Sequence, residues 1–192
     1  MATNEKTSAG RGAVAAWSLY DFGNSAFATL VVTFIYAAFF TETFAPTPEV
    51  GTAWWSRAVT VTAIAVALLS PLMGAIADRG GWRKALCFAF TWICILATLG
   101  LYFIRPGVDT ALIALIVFTV ANISFEMACV FYNAFLPDIA PPAKIGRVSG
   151  YGWALGYVGG ILALLAALCL FVQPDVPAFG VTKEGFQNVR AT

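Results

Sequence analysis

The sequence predicts an all-α integral membrane protein whose helices cross the bilayer five times. Hydrophobic residues make up 60% of its 192 residues, charged residues make up only 11%, and the mean hydropathy is +0.81. A soluble domain usually carries about 25% charged residues. The charged residues also divide the chain into apolar stretches, each about as long as the roughly 20 residues that a helix needs to cross the hydrocarbon core.

Five apolar stretches follow one another along the chain, and each predicts one membrane-spanning helix. The expected spans cover about residues 14–41, 54–77, 85–104, 110–136 and 148–172. Short polar connectors with proline or glycine separate them, since these residues stop helices. The connectors are expected at 42–51, 78–84, 105–109 and 137–147. Together the spans predict one transmembrane bundle, residues 13–172.

The distribution of lysine and arginine predicts the orientation of the bundle, because cytoplasmic connectors are enriched in these residues. With the N-terminal segment 1–12 in the cytoplasm, seven of the 11 basic residues lie on the cytoplasmic side and four on or near the other side. An odd number of spans then puts residues 173–192 outside, as a loop that leads to a missing sixth span. The short connectors and the minimal N-terminus are typical of a bacterial inner (plasma) membrane protein.

The composition excludes several classes of functional site. The chain has no histidine, which excludes Ser-His-Asp triads and histidine metal sites. Its four cysteines lie in apolar stretches without the CxxC spacing of zinc or redox sites, so we expect packing roles for them. The net charge is +1, and no clustered basic face is present, which argues against nucleic-acid binding. We therefore expect no metal, no cofactor and no nucleic-acid partner.

Glu126 is the only charged residue in the fourth expected span. An acidic group deep in a membrane helix is costly unless it is neutral, paired or facing a cavity. At about 100° per residue, Asn122, Glu126 and Asn133 share one helix face with Cys129, and we expect this face to point into the bundle. One interpretation makes Glu126 a proton-coupling or substrate-binding group. The other makes it a protonated acid that is hydrogen-bonded to an asparagine of a neighbouring helix for structural reasons.

The first expected span carries a second polar stripe. Asp21, Asn24 and Ser25 recur at positions i, i+3 and i+4, which are neighbours on a helix surface. They are candidates for a substrate or proton site. Asp21 also has a structural interpretation, because near the cytoplasmic end it would accept hydrogen bonds from local backbone donors or pair with a lysine or arginine.

The connector after the second span combines glycines, an acidic residue and a basic cluster. It contains Gly74, Asp78, Arg79, Gly81, Arg83 and Lys84. Gly74 would let helices approach closely, Asp78 would accept hydrogen bonds at a helix end, and the basic residues would keep the turn cytoplasmic. The arrangement resembles the signature loop of the major facilitator superfamily, except that Trp82 stands where a basic residue is usual. The resemblance implies a conformational latch that makes and breaks contacts as two halves of a transporter rock.

Further stretches are similar to one branch of that superfamily, the vacuole effluxer-like family, whose fungal autophagy-related member exports amino acids from the vacuole. They are residues 17–27, 131–138 and 149–157. The resemblance implies a major facilitator-type helical bundle that holds the first five transmembrane helices of an expected twelve. It implies as partners a small-molecule solute such as an amino acid and the missing C-terminal bundle of the same chain. The lipid bilayer follows from the composition, and protons are expected as a partner if Glu126 couples transport to a proton gradient rather than the solute moving down its own gradient. It also makes Asp138, in an inner loop, a gating candidate.

Glycine recurs every four residues in the fifth expected span, at Gly152, Gly156 and Gly160. Such a ridge of small residues lets two helices cross closely, so we expect a packing role. An ATP-binding loop is excluded, because no P-loop lysine follows and the setting is a membrane helix.

The leading functional hypothesis is a secondary active or facilitative transporter that moves a small solute by alternating access. Two other classes stay open. One is a non-transporting membrane receptor or assembly subunit, and the other is an intramembrane enzyme that uses Asp21 and Glu126 as an acid/base pair. The enzyme is disfavoured, because no nucleophile, metal set or phosphate site accompanies the two carboxylates.

Overall fold

A computed structural model describes residues 10–192, so most of the expected cytoplasmic segment 1–12 lies outside the described residues. Regular structure in this part of the chain is helical, and five helices are long and apolar enough to cross a membrane. They are Arg11–Thr43, Pro48–Gly80, Arg83–Phe103, Val108–Ile139 and Pro142–Val172. The prediction of an all-helical fold with five membrane-spanning helices is therefore confirmed. Each helix extends beyond the expected apolar stretch at one end or both.

The first span is a continuous helix with an irregular middle. It consists of an α-helix Arg11–Phe27, a π-helical segment Ala28–Phe34 and an α-helix Ile35–Thr43. Within the π-helical segment, the Thr33 hydroxyl donates to the carbonyl oxygen of Ala28, five residues earlier, at 2.8 Å. Such segments are rare in proteins, and those that do occur often lie at functional sites. Hydropathy did not predict this one, because an extra residue in a turn leaves the apolar run unbroken.

The second helix continues through residues that we expected to form a connector. It ends at Gly80, and Gly81 follows with a φ of 66°, a left-handed conformation that glycine adopts without strain. Only Gly81 and Trp82 separate it from the third helix. The prediction of a connector at 78–84 is therefore wrong in its extent. Asp78 and Arg79 belong to the last turn of the helix, because charged side chains are tolerated where a span leaves the membrane.

The fourth and fifth spans also contain short irregular segments at their ends. The fourth consists of a 3₁₀ turn Val108–Thr110, an α-helix Ala111–Ala134 and a short helix Leu136–Ile139. The fifth consists of a 3₁₀ turn Pro142–Lys144, an α-helix Ile145–Ala167 and a π-helical end Leu168–Val172.

The helices pack mainly in pairs, and the fourth span belongs to two of these pairs. The third helix packs on the fourth, the first packs on the fifth, and the second also packs on the fourth. A buried aromatic core joins the first, second and fourth spans at the end where the first helix stops, and the ring centroids of Trp55 and Phe118 lie 3.9 Å apart in it. A smaller cluster around Trp17 and Tyr132 holds the opposite end together.

Glycines set the spacing between the first and fifth helices, as the ridge in the fifth span predicts. A methyl group added at Gly152 would collide with the Trp17 ring. A methyl group added at Gly159 would collide with the backbone carbonyl of Phe22, and this glycine was not part of the predicted ridge. Because one of these contacts is with backbone, the two helices cross as closely as two main chains allow.

The tail after the fifth span packs against helix ends, which the sequence did not predict. It finishes in a short helix, Gln187–Arg190. The Arg190 guanidinium donates to the Tyr102 carbonyl oxygen at 2.7 Å, and the Asn188 amide donates to the Phe171 carbonyl oxygen at 3.1 Å. These acceptors belong to the last turns of the third and fifth spans, where intrahelical donors are missing. The tail therefore caps two membrane helices.

Candidate functional site

A cavity of about 640 Å³ lies between the first, fourth and fifth spans. We call it the polar cavity. Its polar lining consists of Asp21, Ser25 and Thr29 from the first span and Cys129, Tyr132 and Asn133 from the fourth. Its other lining residues are mostly aromatic or aliphatic, together with two of the ridge glycines. Three of the predicted site residues, Asp21, Ser25 and Asn133, are thus brought to one cavity.

The Asp21 carboxylate faces the fifth helix at a glycine. A methyl group added at Gly156 would lie 2.6 Å from Asp21 Oδ2 and 2.8 Å from Ser25 Oγ. Asp21 is half-buried, and no hydrogen bond or ion pair holds its carboxylate within residues 10–192. The pairing with a lysine or arginine, or with local backbone donors, that its structural interpretation required is not observed in this part of the chain.

Asn24 lies on a different side of the first helix from Asp21 and Ser25. Its amide nitrogen lies 3.3 Å from Cys129 Sγ, and its side chain lines a second cavity of about 470 Å³ between the first, third and fourth spans. The three residues of the first stripe are neighbours on the helix, but they do not line one common cavity. Phe125 of the fourth helix lines both cavities and packs on the Phe27 ring, with centroids 5.1 Å apart.

The polar stripe of the fourth span is likewise divided. Asn122 is only 3% exposed, and its Oδ1 has no hydrogen-bond partner in the described residues. Glu126 and Asn133 are exposed, and Glu126 lines neither cavity. The prediction that the whole stripe faces the interior of the bundle is therefore wrong for Glu126, whereas Asn133 is exposed but lines the polar cavity. The second and third helices pack on the other side of the fourth span. The stripe therefore lies at the edge of the surface that the fourth span buries against its neighbours.

Stacked aromatic rings close one end of the polar cavity. The Trp17 and Tyr132 rings are nearly parallel with centroids 4.4 Å apart, and Tyr20 stacks on Tyr132 at 5.1 Å. The Trp17 indole N–H also donates to the Tyr132 carbonyl oxygen at 3.0 Å. Offset stacking stabilises such pairs beyond their buried area. Sequence reasoning did not single out Tyr132, which forms this end of the cavity.

A three-residue ion network joins the ends of the second, third and fourth spans. Arg83 donates through Nε and Nη2 to Asp78 Oδ1 at 2.8 and 2.7 Å, and through Nη1 to Asp138 Oδ2 at 3.2 Å. The side chains are 34% exposed for Arg83, 62% for Asp78 and 53% for Asp138. Exposed ion pairs of this kind contribute little to stability, so the network fixes geometry more than it holds the fold together.

The other predicted latch residues do not join this network. Arg79 and Lys84 are exposed and make no ion pair with the described residues. No atom lies within 4 Å of a methyl group added at Gly74. The expected close approach of another helix at Gly74 is thus not observed within residues 10–192.

Comparison with known proteins relates this arrangement to a transporter family. Residues 51–189 match the family described as vacuole effluxer Atg22 like. The chain is 31% identical over 169 residues to YxiO of Bacillus subtilis, an MFS-type transporter, in an alignment that covers 86% of the chain and 39% of that protein. It is 30% identical over 163 residues to a protein of Aquifex aeolicus, covering 85% of the chain and 40% of that protein.

A fungal protein is also similar over part of the chain. Autophagy-related protein 22 of Neurospora crassa is 33% identical over 93 residues, which are 48% of this chain and 12% of the fungal protein. No solved structure matches the chain. The chain spans about two fifths of the length of the two bacterial relatives. Because the family match runs from the second span to the tail, the chain belongs to the vacuole effluxer Atg22-like family of the major facilitator superfamily.

Proposed function

We propose that the chain is the first helical bundle of a transporter that moves a small organic solute across a membrane by alternating access. The polar cavity carries this proposal, because it holds a carboxylate without a partner in the described residues between three membrane-spanning helices. Polar groups at membrane depth are tolerated where they line a cavity or a pathway. Membership of a family that contains an MFS-type transporter supports the same function.

The proposed setting is a bacterial inner membrane with residues 1–12 in the cytoplasm. The excess of basic residues at the ends joined by Arg83 supports this orientation. In this arrangement Asp21, Ser25 and Asn133 contact the solute, and a second bundle of the same protein completes the pathway. The length of the bacterial relatives leaves room for such a bundle.

Glu126 is the proposed site of proton coupling. It is exposed near the middle of the fourth span. A carboxylate that faced lipid at this depth would be strongly unfavourable, whereas one that faces a water-filled pathway is tolerated. We therefore propose that the exposed face of the fourth span, next to the polar cavity, borders the pathway between the two bundles. Protonation of Glu126 would then change the preference of the transporter for one of its two states.

Arg83 is the proposed centre of the latch, because among residues 10–192 it alone joins Asp78 and Asp138. Replacing Arg83 with alanine is expected to slow transport severalfold by changing the balance between the two states. The melting temperature should stay close to that of the wild type, since the ion pairs are exposed. Uptake and thermal unfolding of the full-length protein would be measured side by side.

Lys84→Ala is the matched control for Arg83→Ala. It removes the neighbouring positive charge, which makes no ion pair with the described residues. If the Lys84 variant slowed transport as much as the Arg83 variant, net charge would explain the effect and the latch proposal would fail. A large loss of thermal stability in Arg83→Ala would mean that the network is structural.

Transport itself is testable with the full-length protein in proteoliposomes. Uptake of a panel of radiolabelled amino acids would be measured with and without an imposed proton gradient, because the resemblance to the vacuole effluxer-like family implies amino acids. Gradient-driven uptake above that of protein-free liposomes is the expected result. Absence of uptake for every member of the panel would contradict amino acid transport and favour a receptor or assembly subunit.

A further inference from the structure

We infer that the polar cavity binds a positively charged ammonium group that is attached to an apolar body. This inference rests on the proposed transport function, because it names the class of solute that the cavity takes. Three features of the cavity carry it: the sign of its charge, the position of its aromatic rings and the glycine against which its carboxylate lies.

The charge of the cavity lining is negative. Among residues 10–192, Asp21 is the only charged residue that lines the cavity, so no lysine or arginine of this part of the chain lines it. A carboxylate that is half-buried and without a cationic partner favours a cation nearby, because an unpaired charge away from water is costly. An anionic solute would instead meet a like charge here, with no cation of the described lining to offset it.

Aromatic rings of the cavity are open to a ligand. Trp153 is 62% exposed and Tyr157 is 66% exposed, and both line the cavity from the fifth helix, with ring centroids 6.1 Å apart. Phe34 is 55% exposed and lines it from the first helix. Ammonium groups are attracted to the faces of aromatic rings within about 6 Å, and the same rings bind an apolar body. A cavity that holds a carboxylate near Trp153 and Tyr157, which flank Gly156 on the fifth helix, and Phe34 farther along the first helix is therefore suited to an amine with a hydrocarbon chain.

Gly156 positions the carboxylate in this cavity. The missing side chain leaves room for Asp21 Oδ2 and Ser25 Oγ, which would lie 2.6 and 2.8 Å from an added methyl group. Both neighbours are side chains that can rotate, so an alanine at this position would displace them without breaking the helix crossing. Ser25 and Asn133 then supply neutral oxygen acceptors for ammonium N–H donors.

The volume agrees with a ligand of this kind. Pockets for small organic molecules usually measure about 300–1,000 Å³, and the polar cavity measures about 640 Å³. It is large enough for an amine with a branched hydrocarbon chain.

Three probes of similar shape test the inference on the full-length protein in detergent. They are isopentylamine, isopentanol and 4-methylpentanoate, which differ in carrying a positive charge, no charge or a negative charge. Isopentylamine is expected to raise the melting temperature, because a ligand that binds only the folded state stabilises it. The alcohol and the carboxylate are expected to have little effect. Stabilisation by the carboxylate equal to that by the amine, or no stabilisation by the amine, would overturn the inference.

Variants locate the effect in the polar cavity. Asp21→Asn is expected to remove the advantage of the amine over the alcohol, and an unchanged advantage would show that the amine binds elsewhere. Gly156→Ala is expected to reduce the same advantage. Gly150→Ala is its control, because no atom lies within 4 Å of a methyl group at Gly150. The ratio of amine to alcohol stabilisation separates these effects from a general loss of stability, which would affect all probes alike.

Uptake into proteoliposomes separates this inference from the proposed transport function. Stabilisation by the amine without uptake of any labelled solute would support the ammonium site and contradict transport. Uptake of a labelled solute that isopentylamine does not inhibit would support transport and overturn the ammonium site.

Discussion

Glu126→Gln is expected to abolish proton-driven accumulation of solute while leaving expression and thermal stability close to those of the wild type. Glutamine keeps the size of the side chain and its hydrogen-bonding capacity but cannot exchange a proton at the oxygen. Glu126 makes no hydrogen bond or ion pair with the described residues and is exposed, so the substitution should not disturb packing. Uptake into proteoliposomes would be measured over a range of external pH.

Glu184→Gln is the matched control for Glu126→Gln. It changes the same chemical group at an exposed position in the tail, and uptake should be unchanged. Normal uptake with a normal pH dependence in the Glu126 variant would refute a coupling role. A variant that fails to accumulate in the membrane would instead support the structural interpretation, in which the acid holds helices together.

The second large effect is expected from Gly159→Ala, which should destabilise the bundle by about 1–3 kcal/mol, the usual cost of overpacking a core. The added methyl group would lie 2.8 Å from the carbonyl carbon of Phe22 and 3.0 Å from its Cα. A backbone cannot rotate away as a side chain can, so the first and fifth helices must move apart. Thermal unfolding of the full-length protein in detergent would measure the loss.

Gly150→Ala is also the control for Gly159→Ala. Both substitutions add a methyl group to the same helix and gain the same helix propensity, about 1 kcal/mol relative to glycine. Within the described part of the chain, no other element lies within 4 Å of a methyl group added at Gly150. The difference between the two variants therefore measures the helix crossing alone, and equal melting temperatures would mean that the two helices are not in contact at Gly159.

The number and approximate position of the spans could be predicted from the sequence, because a bilayer demands long apolar helices and the charges mark their limits. The ends could not. Asp78 and Arg79 are connector signals by composition, yet they continue the second helix, since the left-handed residue that ends it is Gly81. The docking of Gln187–Arg190 depends on free carbonyl groups of two distant helices, and no local pattern reveals such a contact.

The candidate site was predictable in its residue types more than in its arrangement. A helical wheel groups Asp21, Asn24 and Ser25, but in the bundle Asn24 lines a different cavity from the other two. Tyr132 and Gly156 line the polar cavity only because the first, fourth and fifth helices meet there. Periodicity within one helix reports which side chains share a face, and it does not report which neighbour covers that face.

The π-helical segment Ala28–Phe34 decides which way Asp21 faces relative to the anchored end of the first span. The C-terminal part, Ile35–Thr43, is anchored by Phe40, whose side chain is completely buried in the aromatic core. The N-terminal part, Arg11–Phe27, carries Asp21 on the other side of a turn that holds an extra residue. One residue of an α-helix corresponds to about 100° of rotation about the helix axis. The extra residue therefore offsets the direction of the carboxylate from the one that an unbroken α-helix anchored at Phe40 would give it.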